Sequence, residues 1–123
     1  MECNYSIERK SLNDFIGTIA SGWERFKKEL TRMENRGFPS RIIIIESDFQ
    51  DCCFWVEEET GDIKEPKHDH FKVTPQFVIR RICELMYGGV CVMFAGNSGY
   101  AAALCYKLLR NRKDFLMGIK GGL

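Results

Sequence analysis

Apolar side chains recur at three- and four-residue steps from Leu12 to Met33, the clearest periodicity in the chain. Leu12, Phe15, Ile16, Ile19, Trp23, Phe26, Leu30 and Met33 share one stripe, which predicts a single long amphipathic helix over 12–33. Ser11 stands where its N-cap should be, and Asp14 three residues on completes a capping box. "NRGFP" (35–39) supplies the stop through Gly37 and Pro39. Ahead of that helix, residues 3–9 read as a strand, with Tyr5 and Ile7 alternating with polar positions.

A second kind of pattern follows. "RIIIIE" (41–46) holds four consecutive isoleucines, the run expected of a parallel strand covered on both faces. "VCVMFAG" (90–96) reads as another buried strand. Between them, "VTPQFVIRRICELMYGG" predicts a helix opened by Thr74 as cap and Pro75 in its first turn, and closed by Gly88 and Gly89. "SGYAAALCYKLLRNRK" (98–113) predicts a final helix with a basic last turn. Residues 47–73 carry the weakest signal: "SDFQDCCFW" fits a short helix or a strand, and "EEETGDIKEPKHDH" a polar loop. Strands alternating with helices predict an α/β fold, a mostly parallel central sheet with helices on both faces.

At 123 residues the chain is expected to form a single domain, 1–123. Its net charge of +1 gives no bulk electrostatic attraction to nucleic acid or membrane, so any polyanion site must be a local patch. No apolar run approaches the ~20 residues that cross a bilayer. "MECNYSIERK" lacks the apolar segment of a signal peptide. The six cysteines show no C-x-x-C spacing, and Cys83, Cys91 and Cys105 lie inside apolar segments. That usage predicts reduced thiols and a cytoplasmic protein.

The charged step "IERKSLND" sits where the first strand gives way to a helix. Alternation puts Glu8 and Lys10 on one face of the strand and Arg9 on the other. All three lie at the carboxyl rim of the predicted sheet, where open parallel sheets build their sites. The strand "IIIIES" brings Glu46 to the same rim, with Asp48 just beyond. Two carboxylates and a lysine beside a helix N-terminus suit a hard cation and a phosphate. A lysine there can orient an attacking water or offset charge on the phosphate. An E-x-K triplet alone is ordinarily solvated charge; only its convergence with other rim residues raises it above that.

"IERKSLNDFIGTIASG" resembles the signature of the XPF-type nuclease domain (the excision-repair cross-complementing group four domain), within the restriction-endonuclease-like superfamily. That signature is a Gly-Asp on one strand, a variable hairpin, then Glu-Arg-Lys, three residues and Asp. Glu8, Arg9, Lys10 and Asp14 match its second half in order and spacing. The Ser-Gly step, the charged helix "ERFKKELTRM", the strand "IIIIES" and "VTPQFVIRRI…VCVMFAGNSGYAAALCYKLL" are similar to later features of the small bacterial and phage members. The likeness runs from residue 5 to about residue 113. It implies a three-layer restriction-endonuclease-like fold and Mg²⁺- or Mn²⁺-dependent cleavage of branched or flapped DNA, as in repair or recombination. Glu8 would be a metal ligand, Lys10 the catalytic lysine, Arg9 a supporting residue and Asp14 the residue holding the motif turn. Glu46 as a second metal ligand, and Asp48 more weakly, come from the rim argument alone.

The chain also departs from that signature. The upstream Gly-Asp that supplies the first metal carboxylate has no counterpart, since Glu2 is the only acidic residue before Glu8. The Asp-x-Arg-Glu strand that usually opens the domain has none either, and Gly22-Trp23 replaces a Gly-Arg. Two expectations stay open: a nuclease lacking its N-terminal hairpin, or a catalytically impaired module that binds DNA or assembles with proteins.

Other signals carry less. His68 and His70, with Cys52 and Cys53, are zinc-type ligands in no standard spacing, and a polar loop explains them. "GNSGYAA" (96–102) lacks both G-x-G-x-x-G and the Walker lysine, so no nucleotide cofactor is expected. Trp23 and Phe26 are read as core or dimer interface. Of the basic residues on helix surfaces, Lys27, Lys28, Arg110 and Arg112 are the expected phosphate contacts. The resemblance also implies a homodimer; Phe77, Val78, Ile82, Leu85 and Met86, with Tyr100, Leu104, Leu108 and Leu109, spread beyond a single stripe and support it, unless the sheet and the 47–73 loop cover them.

Overall fold

The computed structural model describes residues 5–37, 40–52, 55–56, 59–61, 63–64, 66–70 and 72–116. Three parallel strands form the sheet in the order β1 (Tyr5–Lys10), β2 (Ser40–Ile45) and β5 (Val90–Phe94). Two short antiparallel strands, β3 (Trp55–Val56) and β4 (Ile63–Lys64), make a separate hairpin after a 3₁₀ turn at Phe49–Cys52. The helices are α1 (Leu12–Ile19), α2 (Trp23–Asn35), α3 (Pro75–Tyr87) and α4 (Ser98–Leu116). Among the described residues no helix is long and apolar enough to cross a membrane. Cys3, Pro39 and Cys53 lie outside the described residues, as does Glu2.

Register assigns the two faces of the sheet. Glu8 is opposite Ile43 and Lys10 opposite Ile45, while Arg9 is opposite Ile44. Ile43, Ile45 and Val90 therefore share the Glu8–Lys10 face, and they cluster with Leu12, Phe15, Ile16, Ile19, Trp23, Phe26, Val78 and Leu85. Helices α1, α2 and α3 thus cover one face, as right-handed crossovers β1–β2 and β2–β5 in the same direction require. Ile44 points the other way and is fully buried, as is Ala101 of α4, the helix that packs on β2 from the opposite side. The prediction of helices on both faces stands.

The single helix expected over 12–33 is two. Its apolar stripe passes through the break because Ile19 and Trp23 are four residues apart, so periodicity gives no warning. The backbone does change at Ala20 (φ −95°, ψ −102°), and the Gly22 amide donates to the Gly17 carbonyl at 2.9 Å instead of to Thr18. A Cβ at Gly22 would stand 3.2 Å from both Gly17 O and Thr18 Cα, so a side chain there would press the backbone apart by a few tenths of an ångström. Arg81 of α3 stabilises the break. Its Nε donates to the Ile19 carbonyl at 3.0 Å, and its guanidinium lies 4.4 Å above the Trp23 ring and 4.7 Å from that of Phe77. It is a structural cation.

The remaining caps follow the sequence. Ser11 Oγ accepts from the Asp14 amide at 3.2 Å, and Thr74 Oγ1 accepts from the Phe77 amide at 3.2 Å. Gly37 (φ 79°) follows α2, and Gly89 (φ 85°) follows α3. The dimer surface expected on α3 is mostly core. Of those five residues Val78 and Leu85 are buried, Phe77 and Ile82 pack against the same cluster, and Met86 is exposed, as are Ile79 and Tyr87 beside it.

Candidate active site

β1 ends as α1 begins, with Ser11 alone between them. This short connection places the last residues of β1 beside the first turn of α1. Lys10 Nζ lies 3.1 Å from Glu8 Oε1, with the Lys10 side chain 15% exposed and that of Glu8 48%. The lysine stem is packed away while the carboxylate faces solvent. Both line an open cleft of about 900 Å³ together with Asn13, Asp14, Gly17 and Thr18 of α1. Arg25, Phe26 and Glu29 of α2 form one wall, and His70 reaches in from the loop before α3.

Asp14 does only half of what a capping box requires. Its amide is held by Ser11, but among the described residues its carboxylate has no hydrogen bond or ion pair, and it stays exposed in the cleft. Arg9 points away, as alternation requires. Its Nη2 donates to the Ser98 carbonyl at 3.3 Å and lies 3.8 Å from Glu46 Oε1.

Glu46 is therefore not brought to Glu8. Lys10 and Ile45 are register partners, so the next residue, Glu46, falls on the Arg9 face. The rim argument placed the two glutamates at the same height of the sheet but ignored which side each occupies. Asp48 is exposed beyond β2, with its Oδ1 3.3 Å from where a Gly96 Cβ would be. Its amide joins the Ser47 hydroxyl in donating to Asp51 Oδ2, at 3.3 and 2.6 Å. Burial works against the Asp51 charge, but these bonds and Lys67 outweigh it and hold the carboxyl below its ordinary range.

The expected phosphate contacts are scattered. Lys27 pairs with Glu24 at 3.1 Å and lines a groove with Trp23 and Arg81 on another side of α2. Lys28 lines a shallow depression with Lys27, Thr31 and Arg32. Arg110 and Arg112 belong to α4, on the far side of the sheet, where Arg110 Nη1 donates to the Tyr106 hydroxyl at 3.3 Å. Among the described residues the cations that face the cleft are Lys10 and Arg25, with Arg9 touching only its edge. Arg25 was missed because a charged residue on an amphipathic helix reads as solvated surface unless the wall opposite it is known. The available signal was Ser21, Arg25 and Glu29 at four-residue steps.

His70 was also missed, having been read as part of a polar loop. Among the described residues no group of three or more His, Cys, Asp or Glu side chains stands close enough to hold a metal ion. The cleft nevertheless offers the Glu8 carboxylate and the uncommitted Asp14 carboxylate. That is a fitting donor set for Mg²⁺, which takes one or two protein carboxylates and leaves its remaining positions to water and phosphate.

Comparison with curated proteins and with solved structures gave no match. The sequence profile of the ERCC4 domain matches residues 1–108, from β1 to the middle of α4, with the Glu8–Lys10 cleft wholly inside the matched span. The chain therefore belongs to the ERCC4-domain family, a family of nucleases.

Proposed function

We propose that this chain is a divalent-metal-dependent DNA endonuclease domain of the small bacterial or phage type, hydrolysing phosphodiester bonds in branched or flapped DNA. The observation that carries the reading is the Glu8–Lys10 pair, 3.1 Å apart on the cleft floor of a nuclease-family chain. The three-stranded parallel sheet, with helices on both faces, supports the restriction-endonuclease-like arrangement. Among the described residues Cys83, Cys91 and Cys105 are free thiols, which supports a reducing, cytoplasmic setting.

In this reading a DNA strand enters the open cleft with a phosphate above Lys10. Glu8, with Asp14 beside the α1 N-terminus, would hold Mg²⁺ or Mn²⁺. The ion supplies positive charge against the negative charge that develops on the phosphate. Lys10 donates to the phosphate or to the attacking water, and its buried stem restricts where the ammonium can point. Hydrolysis forms the bond from water oxygen to phosphorus and breaks the bond to the leaving oxygen, which takes up a proton. Arg9 holds the end of β1 against Glu46 and Ser98 and so supports the site from behind. Arg25 is the wall cation placed to meet a neighbouring phosphate. The test is cleavage of flapped, splayed-arm and four-way DNA with Mg²⁺ or Mn²⁺, compared with the Glu8→Ala and Lys10→Ala variants.

A second reading is favoured by one observation, the lack of a three-donor group among the described residues. A nuclease-fold module with impaired chemistry would bind DNA in the same cleft, and both substitutions would leave its product profile unchanged.

Pairing with a second copy belongs to the same proposal. Tyr106 and Leu109, neighbours three residues apart on α4, are exposed, and a two-fold contact through them would cover apolar surface. Light scattering tests it: a mass that remains monomeric as concentration rises ends the homodimer proposal.

A further inference from the structure

The loop bearing "KHDH" is polar and irregular, yet it is tied down more closely than a spacer needs. Asn13 and Asp69 clasp reciprocally, Asn13 Nδ2 donating to Asp69 Oδ2 at 3.2 Å and the Asp69 amide to Asn13 Oδ1 at 2.8 Å. The Lys67 amide donates to the Asp51 carbonyl at 2.8 Å, and the Val73 amide to the His70 carbonyl at 2.9 Å. His68 is 1% exposed, and its Nδ1 accepts from the His70 amide at 3.2 Å. The buried imidazole thus acts as an internal peg. The loop's backbone is held on both sides of one residue, His70.

That residue points into the cleft. His70 Nε2 and Cε1 lie 3.7 and 3.8 Å from where a Cβ on Gly17 would be, so the missing side chain on α1 gives the imidazole a flat bed. Among the described residues neither ring nitrogen of His70 has a hydrogen-bond partner, although the ring is only partly exposed. An imidazole pinned by its backbone, with its ring nitrogens uncommitted beside an E-x-K pair, is placed to meet a ligand oxygen.

We infer that His70 is a substrate-contacting residue, donating a hydrogen bond to a phosphate oxygen of the DNA strand in the Glu8–Lys10 cleft. This rests on the nuclease reading, and adds a contact from outside the motif. The Asn13–Asp69 clasp couples that contact to the motif, because Asn13 lies one residue before Asp14 on α1. The loop and the catalytic strand then engage one strand of DNA together, and His70 acts by fixing where that strand lies.

The experiment reads binding, without turnover. Splayed-arm DNA with Ca²⁺ in place of Mg²⁺ is titrated into the wild-type chain and into His70→Ala, His70→Phe and His70→Gln, followed by fluorescence anisotropy. The imidazole resonances of the wild type are followed by NMR, with buried His68 as internal reference. His70→Ala and His70→Phe should weaken binding about tenfold, the loss of one hydrogen bond to an anionic oxygen. His70→Gln, which keeps a donor, should recover most of it, and DNA should shift the wild-type His70 resonance while leaving His68 in place. Phe preserves the packing on Gly17, so a purely structural role would leave its affinity intact. Wild-type binding with an unmoved His70 resonance and equal affinities throughout overturns the inference and leaves the nuclease reading standing. Failure of the wild type to bind DNA overturns both. If a variant does not fold, the wild-type resonance still decides.

Discussion

Arg9 Nη2 and Glu46 Oε1 stand 3.8 Å apart on the face of the sheet turned away from Lys10. The charged run at the end of β1 is thus divided, Glu8 and Lys10 facing the cleft and Arg9 bracing the rim behind it. A half-exposed pair of this length is worth little in stability. Glu46→Gln should lower the unfolding free energy by no more than about 1 kcal/mol. Its DNA cleavage should stay within a few-fold of wild type. A loss in cleavage as large as that of Glu8→Ala would show that Glu46 reaches the reacting phosphate after all.

The break between α1 and α2 should be sensitive at one glycine and tolerant at another. A Cβ at Gly22 meets backbone at 3.2 Å, where no side chain can yield, whereas at Gly17 the nearest neighbour is the His70 ring at 3.7 Å. Gly22→Ala should cost about 1–3 kcal/mol by overpacking. Gly17→Ala, inside α1, should be neutral or stabilise by up to about 1 kcal/mol. Urea denaturation of both variants checks this, and equal effects would mean that the break is not held by that close approach.

Burial first, and His70 second, hold the His68 imidazole below its ordinary value, while the Cys52 backbone and Asp69 pull weakly the other way. His68 Nδ1 accepts from the His70 amide, so a proton gained at that nitrogen in the folded state would break the bond that holds the loop. The unfolded chain protonates this histidine near pH 6.5, and the folded chain only at lower pH. Between those limits the unfolded state binds more protons, so stability falls as pH drops below about 6.5 and is flat above it. Below the folded value the loss levels off. Denaturation at pH 7.5 and pH 5 should show this slope in the wild type and a reduced slope in His68→Phe. Asp51, whose depressed carboxyl acts only below its ordinary value of 3.8, does not confuse that interval. An unchanged slope in the variant would assign the acid sensitivity elsewhere.

Much of this was legible in the sequence, and what was missed has physical causes. The four isoleucines of β2 announced a strand covered on both faces because Ile44 and its neighbours serve opposite layers. Glu8 and Lys10 could be paired because a strand's two-residue period survives without a structure. Glu46 was misplaced because proximity at the rim depends on register, and no pattern in β1 and β2 alone specifies how they align. Arg25 and His70 were missed for different reasons. One sits on the polar side of α2, where charge alone does not separate a cleft wall from a solvated face. The other belongs to a loop with no period, where only the clasp through Asn13 and the peg at His68 show that it is built.

The central claim is that Glu8 and Lys10 perform metal-dependent phosphodiester hydrolysis. Its most direct measurement is single-turnover cleavage of end-labelled flapped and splayed-arm DNA, with Mg²⁺ or Mn²⁺ and with chelator, for wild type, Glu8→Ala and Lys10→Ala. The account predicts cuts near the branch point that vanish with chelator and fall by at least about a hundredfold in each variant, the scale for removing one charge-stabilising group. Cleavage that persists unchanged in both variants would contradict it.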